Sequence, residues 1–152
     1  MWRRIKAWFE EKPLLFEQDV MKKYLVVGLG NIGTEYENTR HNIGFNILDF
    51  MASKESFSFS TEKLGDIATF KYKGRSILFL KPSTYMNVSG KAVKYWMDKE
   101  KVPLENVLII TDDINIPFGT LRLKGKGSDG GHNGLKNIQT LLLILEKAYL
   151  SN

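Results

Sequence analysis

Tyr24-Leu25-Val26-Val27-Gly28-Leu29-Gly30-Asn31-Ile32-Gly33 is the stretch on which the fold turns. Its first four residues are apolar without alternation, which predicts a short strand covered on both faces. The glycines that follow match the turn of a dinucleotide-binding unit. Such a unit needs a helix opening inside the turn, so that its N-terminus meets the pyrophosphate. Here Thr34 to Asn42 carry almost no apolar face, and the acid expected after a second strand is absent. Asp49 has about the right spacing but falls inside an expected helix. Both counts weigh against the dinucleotide reading. The glycines are expected instead to let the backbone turn sharply and present Asn31 at a strand end.

Outward from this strand the chain alternates strand and helix patterns. Ile43, Ile47, Leu48 and Met51 mark a helix face. Residues 57–59, 67–72 and 76–80 read as strands, the last two joined at Lys73-Gly74. Val88, Ala92 and Trp96 are spaced by four, predicting a helix over 89–101 that stops before Pro103. Residues 107–111 form an apolar strand delivering Asp112-Asp113 at its carboxyl end. Leu121 and Leu123 alternate with basic residues, predicting a half-exposed strand over 120–124. A glycine-rich loop from Gly125 to Gly134 leads into a last helix, with Leu135, Ile138, Leu141, Leu142 and Leu145 inward. The order implies one compact α/β domain.

Residues 1–20 read differently. Trp2, Ile5, Trp8 and Phe9 recur at helical spacing behind a basic start, but Glu10, Glu11, Lys12 and Pro13 interrupt any signal-peptide run. Four acids in this stretch also disfavour a transit peptide. Met21-Lys22-Lys23 is a natural start before a strand, so 1–20 are expected to be an upstream mis-start or a loose amphipathic extension.

Composition removes whole classes of function. The 152 residues suffice for one domain with a sizeable core. No cysteine is present, which excludes disulfides, thiol catalysis and cysteine-ligated metal sites. With His41 and His132 as the two histidines, a histidine-rich metal site is excluded as well. Apolar runs fall far short of the roughly 20 residues a membrane span requires. The net charge of +5 permits an anionic partner without establishing one.

The remaining chemistry lies in polar clusters beyond strand and helix ends, where α/β sheets build sites. They are Asn31, His41-Asn42, Tyr85-Met86-Asn87, Asp112 and His132-Asn133. One histidine, one strand-end acid and several amides suit hydrolysis without a metal. Histidine accepts a proton from water near neutral pH, an aspartate orients it, and amides donate to a developing oxyanion. Each residue also has a plainer reading. Asn42 or Thr39 could cap one helix and Asn133 another. Asp112 could be a turn residue or half of a solvated pair, and Met86 could be core filler. Arg122, Lys124 and Lys126 offer a basic edge suited to phosphates, or simply a solvated strand.

Four segments carry a closer resemblance: Val26 to Gly33, Tyr36 to Phe45, Lys81 to Gly90 and Gly131 to Lys136, with Asp112-Asp113 between the third and fourth. In this order they resemble the bacterial peptidyl-tRNA hydrolase family, from about Lys22 to about Leu141. The Thr39-Arg40-His41-Asn42 and Tyr85-Met86-Asn87-Val88-Ser89-Gly90 segments are the specific part. The resemblance implies a single three-layer α/β domain with a twisted mixed sheet flanked by helices. It also implies a cytoplasmic monomer, without metal or cofactor, that cleaves the ester joining a peptide to the 3′ end of tRNA and so recycles the tRNA. On it, His41 activates water and Asp112 holds His41 in its basic form. Asn31 discriminates N-blocked from free aminoacyl-tRNA. Asn87 and Asn133 are substrate-binding amides, Tyr36 and Tyr85 touch the tRNA end, and Met86 lines the peptide side. His132 is kept as a loop or substrate contact.

Over residues 21–152 the expected domain departs from the family at its carboxyl end, where a further strand, lid and last helix are expected and missing. A catalytically impaired tRNA-binding remnant is therefore the alternative function. A dinucleotide-dependent oxidoreductase, marked by NAD(P)-induced stabilisation, is the other.

Overall fold

The computed structural model describes residues 2–11, 22–37, 39, 42–113, 115–123 and 132–140. Five strands form one mixed sheet: β1 (Lys23–Gly28), β2 (Ser60–Glu62), β3 (Gly65–Tyr72), β4 (Arg75–Pro82) and β5 (Val107–Ile110), in the order β2-β3-β4-β1-β5. β1 runs parallel to both neighbours, pairing Val26 with Phe79 of β4 and with Leu108 of β5. β2, β3 and β4 are antiparallel, and the β3–β4 hairpin turns at Lys73-Gly74 with positive φ at both residues. That pair of left-handed residues matches the twist of the flanking strands.

The apolar run of β1 is explained by burial on two sides. Side chains alternate across a strand, so Leu25 and Val27 face one core while Tyr24 and Val26 face the other. The first core is closed by helix α3 (Ser89–Glu100) through Ala92, Val93, Trp96 and Met97, and by Ile138 of helical residues 133–140. The second is closed by helix α2 (Ile43–Glu55) through Leu48 and Met51, and by helix α1 (Trp2–Glu11) through Trp2 and Ile5. Helices on both faces of a mixed sheet make three layers.

α1 is a docked helix rather than a loose tail. Trp2 Nε1 donates to Glu55 Oε1 at 2.6 Å, and Lys6 Nζ pairs with the same oxygen at 2.8 Å. Other differences from the sequence reading are local. Residues 57–59 form no strand, because Phe57 lies flat on Phe79, with ring centroids 4.8 Å apart, and pairing begins only at Ser60. The described part of the expected strand 120–124 is irregular and exposed, with no sheet partner among the described residues. Ile43 is exposed and the buried stripe of α2 runs through Gly44, Leu48 and Met51. Val88 lies in a short 3-10 turn (Met86–Val88) and is exposed, and the buried face of α3 runs from Ser89 and Gly90 through Ala92, Val93, Trp96 and Met97. Among the described residues no helix is long and apolar enough to cross a membrane.

Candidate active site at the carboxyl ends of the parallel strands

β4, β1 and β5 end on the same side of the sheet because they are parallel. The helix after β1 lies on one face and the helix after β4 on the other. Chain leaving adjacent strands toward opposite faces opens a crevice at the carboxyl ends. Asn31, Tyr85-Met86-Asn87 and Thr111-Asp112 all follow these strands.

Asn31 is placed by the start of α2. The Leu29 N–H extends the β1–β5 pairing by donating to the Ile110 carbonyl at 2.9 Å. Gly44 then rests on this backbone so closely that a Cβ there would lie 2.3 Å from the Leu29 carbonyl oxygen. With α2 seated so tightly, Asn42 Oδ1 reaches the Asn31 N–H at 2.7 Å. Asn42 is buried and stands at the N-cap position, yet its side chain makes no capping bond. It holds the Asn31 loop instead. Thr39 does not cap the helix either, since its hydroxyl donates to the Tyr36 carbonyl.

At the end of β5 the two aspartates part. Asp113 Oδ1 accepts the Asn115 N–H at 2.8 Å, the geometry of an Asx turn, while Asp112 turns inward. His132 Nε2 lies 2.8 Å from Thr111 Oγ1 and 3.4 Å from Asp112 Oδ1. His132 Nδ1 accepts from the N–H groups of Gly134 and Leu135 at 3.1 and 3.3 Å, so His132, not Asn133, caps helical residues 133–140. An accepting Nδ1 puts the ring proton on Nε2, aimed at Thr111 and Asp112.

Met86 joins this group through Gly134. A Cβ on Gly134 would fall 2.7 Å from Met86 Sδ, 3.1 Å from His132 Cε1 and 3.2 Å from Leu29 Cδ1, so a side chain there would part the strand end from the helix. The Gly90 N–H donates to Asn137 Oδ1 at 2.7 Å, tying the start of α3 to the same helix.

Met86, Asp112 and His132 are thus brought together, and Leu29, which borders the same Gly134 contact, precedes Asn31 by two residues. Tyr36, Tyr85, Asn87, Asn133 and Arg122 are exposed, Tyr85 at 79%. Tyr85 and Asn87 flank Met86 in the chain, and Asn133 follows His132. His41, Lys124 and Lys126 lie outside the described residues. Thr111, Asn42 as a bridge and Asn137 were not evident from sequence, because their partners are remote in the chain. The hydroxyl beside a strand-end acid was the available clue for Thr111.

The glycine turn does not open a long helix. Gly33 has φ +121° and leads into a single 3-10 turn (Thr34–Tyr36), so no helix N-terminus is offered there to a pyrophosphate. Among the described residues no group of three or more His, Cys, Asp or Glu side chains could hold a metal ion.

The family model described as peptidyl-tRNA hydrolase matches residues 25–149. The chain belongs to the peptidyl-tRNA hydrolase family. It is 63% identical over 120 residues to the peptidyl-tRNA hydrolase of Phocaeicola vulgatus, covering 79% of this chain and 64% of the relative. It is 50% identical over 116 residues to that of Clostridium botulinum, covering 76% and 61%. The crystal structure of the peptidyl-tRNA hydrolase from Acinetobacter baumannii superposes with a TM-score of 0.74 at 35% identity, covering 82% of this chain and 64% of that one. The chain therefore spans a little under two thirds of the length of these peptidyl-tRNA hydrolases. The mixed sheet with helices on both faces is the family's architecture.

Proposed function

We propose that this chain hydrolyses the ester between an N-blocked peptide and the 3′-terminal ribose of tRNA, recycling tRNA from prematurely released peptidyl-tRNA. The observation that carries the reading is the inward-facing Asp112 at the end of β5, grouped with His132 and Met86 where the parallel strands end. The family motifs around it support the same reading.

On this reading His41 takes a proton from water as the oxygen attacks the ester carbonyl carbon. Amide donors among Asn31, Asn87 and Asn133 meet the developing oxyanion. The carbon–oxygen bond to the ribose then breaks, and the leaving oxygen takes the proton back from His41. Asp112 keeps His41 oriented and favours its cation. The step needs no metal or cofactor, because imidazole supplies the proton transfer. A general base contributes about 10²–10⁴ in rate, and one oxyanion donor about 10²–10³. Tyr36 and Tyr85 contact the tRNA end, Met86 lines the peptide side, and Arg122, Lys124 and Lys126 meet phosphates. The protein works as a monomer in the cytoplasm.

The test is release of tRNA from N-acetyl-aminoacyl-tRNA by the 152-residue chain and by its His41→Ala and Lys126→Ala variants. His41→Ala should lose at least about 10²-fold in kcat. Lys126→Ala should mainly raise a salt-sensitive KM. Equal modest losses in both would overturn the assignment. Binding without any release would make the chain a tRNA-binding remnant.

A further inference from the structure

Thr111 Oγ1 lies 2.8 Å from His132 Nε2 and 3.4 Å from Asp112 Oδ1. The direction of the first bond follows from the other side of the ring. Nδ1 faces two backbone N–H groups, so Nε2 carries the proton and the Thr111 hydroxyl oxygen accepts it. Having accepted, the hydroxyl directs its own proton toward Asp112 Oδ1. The direct His132–Asp112 separation of 3.4 Å is long beside the roughly 2.7–2.9 Å of a charge-assisted N–H···O bond. The hydroxyl at 2.8 Å is therefore the closer partner of the imidazole, and it stands as near to Asp112 Oδ1 as the ring does, at 3.4 Å.

We infer that Thr111 is a positioning residue for the reaction: its hydroxyl couples Asp112 at the end of β5 to His132, and through the His132 cap sets the helix that presents Asn133. The inference rests on the hydrolytic reading above. A merely structural threonine would also be half-buried at a strand end, but valine has the same shape and would replace it without loss.

The experiment uses the full chain and its Thr111→Val, Thr111→Ser and His132→Ala variants, with N-acetyl-aminoacyl-tRNA as substrate. Thr111→Val should lower kcat roughly tenfold, the worth of one such hydrogen bond, with KM within about twofold. Thr111→Ser should restore kcat to within about threefold of the parent, since it keeps the hydroxyl. In the His132→Ala background, Thr111→Val should cause no further loss, because its partner is gone. Unchanged kcat in Thr111→Val, failure of the serine to rescue, or additive losses would each overturn the inference. The His132 Nε2 proton, followed by NMR, gives a reading without turnover. It should exchange slowly in the parent and Thr111→Ser and fast in Thr111→Val. Equal exchange in all three overturns the inference even if the chain is active. An inert parent chain, by contrast, overturns the hydrolytic reading and the kinetic claim built on it.

Discussion

Asn42 Oδ1 accepts the backbone N–H of Asn31 at 2.7 Å, spanning the turn between the end of β1 and the start of α2. A residue at a helix N-cap position spends its acceptor on the preceding loop, which places Asn31 relative to the strand ends. Removing the acceptor leaves a partly buried N–H unpaired, at about 1–3 kcal/mol. Asn42→Ala should lower the unfolding midpoint in urea and impair tRNA release, while Asn42→Asp, which keeps the acceptor, should retain most of the stability. Equal stability of Asn42→Ala and the parent would show that the bond contributes nothing.

Gly44 meets backbone where Gly74 meets open space. A Cβ on Gly44 would lie 2.3 Å from the Leu29 carbonyl oxygen and 2.8 Å from that of Ile110, whereas nothing lies within 4 Å of one on Gly74. Backbone cannot swing aside as a side chain can. Gly44→Ala should cost about 1–3 kcal/mol as an overpacked contact and displace the site by moving α2. Gly74→Ala carries strain from φ +73°, worth about 1 kcal/mol, and should leave activity intact. Denaturant unfolding and tRNA release on both variants check the contrast.

Glu55 anchors α1 in a pH-dependent manner. The hydrogen bond from Lys6, then that from Trp2, hold its carboxyl below the ordinary carboxylate range. A depressed folded-state pKa adds stability above the unfolded value, and this stability is lost as pH falls through the lowered one. The side chain is partly exposed, at 20%, so the effect is modest and weakens with salt. Protection factors over Trp2–Glu11, referred to the intrinsic exchange rate at each pH, should fall on acidification below about pH 4.5, before the sheet opens. In Glu55→Gln the protection factors should already be lower at neutral pH and lose that acid dependence.

Arg122 is exposed beyond the end of β5. If it meets a phosphate, Arg122→Ala should weaken tRNA binding evenly across tRNA sequences and reduce the salt slope by about 1. An unchanged slope in binding measured over a range of KCl would return Arg122 to the solvated surface.

How far each feature was legible in the sequence depends on how local its cause is. The hairpin at Lys73-Gly74, the end of α3 before Pro103 and the strand ahead of Gly28 follow from turn chemistry and apolar patterning within a few residues. The aromatic residues Phe57 and Phe59 have the composition of a strand, yet packing against the sheet face took them instead. The polar run after Gly33 argues against a dinucleotide-binding helix, and a single 3-10 turn stands where that helix would open.

By itself the sequence determined the two-faced burial of β1, the family, and the placing of Asn31 and Asp112 just past strand ends. These depend on local composition and short motifs. Only the tertiary structure decided that Asp112 turns inward while Asp113 closes a turn, that Asn42 serves Asn31 rather than its helix, and that His132 meets Thr111. It also docked Trp2 against Glu55, 53 residues away. Such contacts join segments whose approach depends on strand order and on the glycine contacts between helix and strand. No local pattern encodes the distance between two side chains carried on different elements.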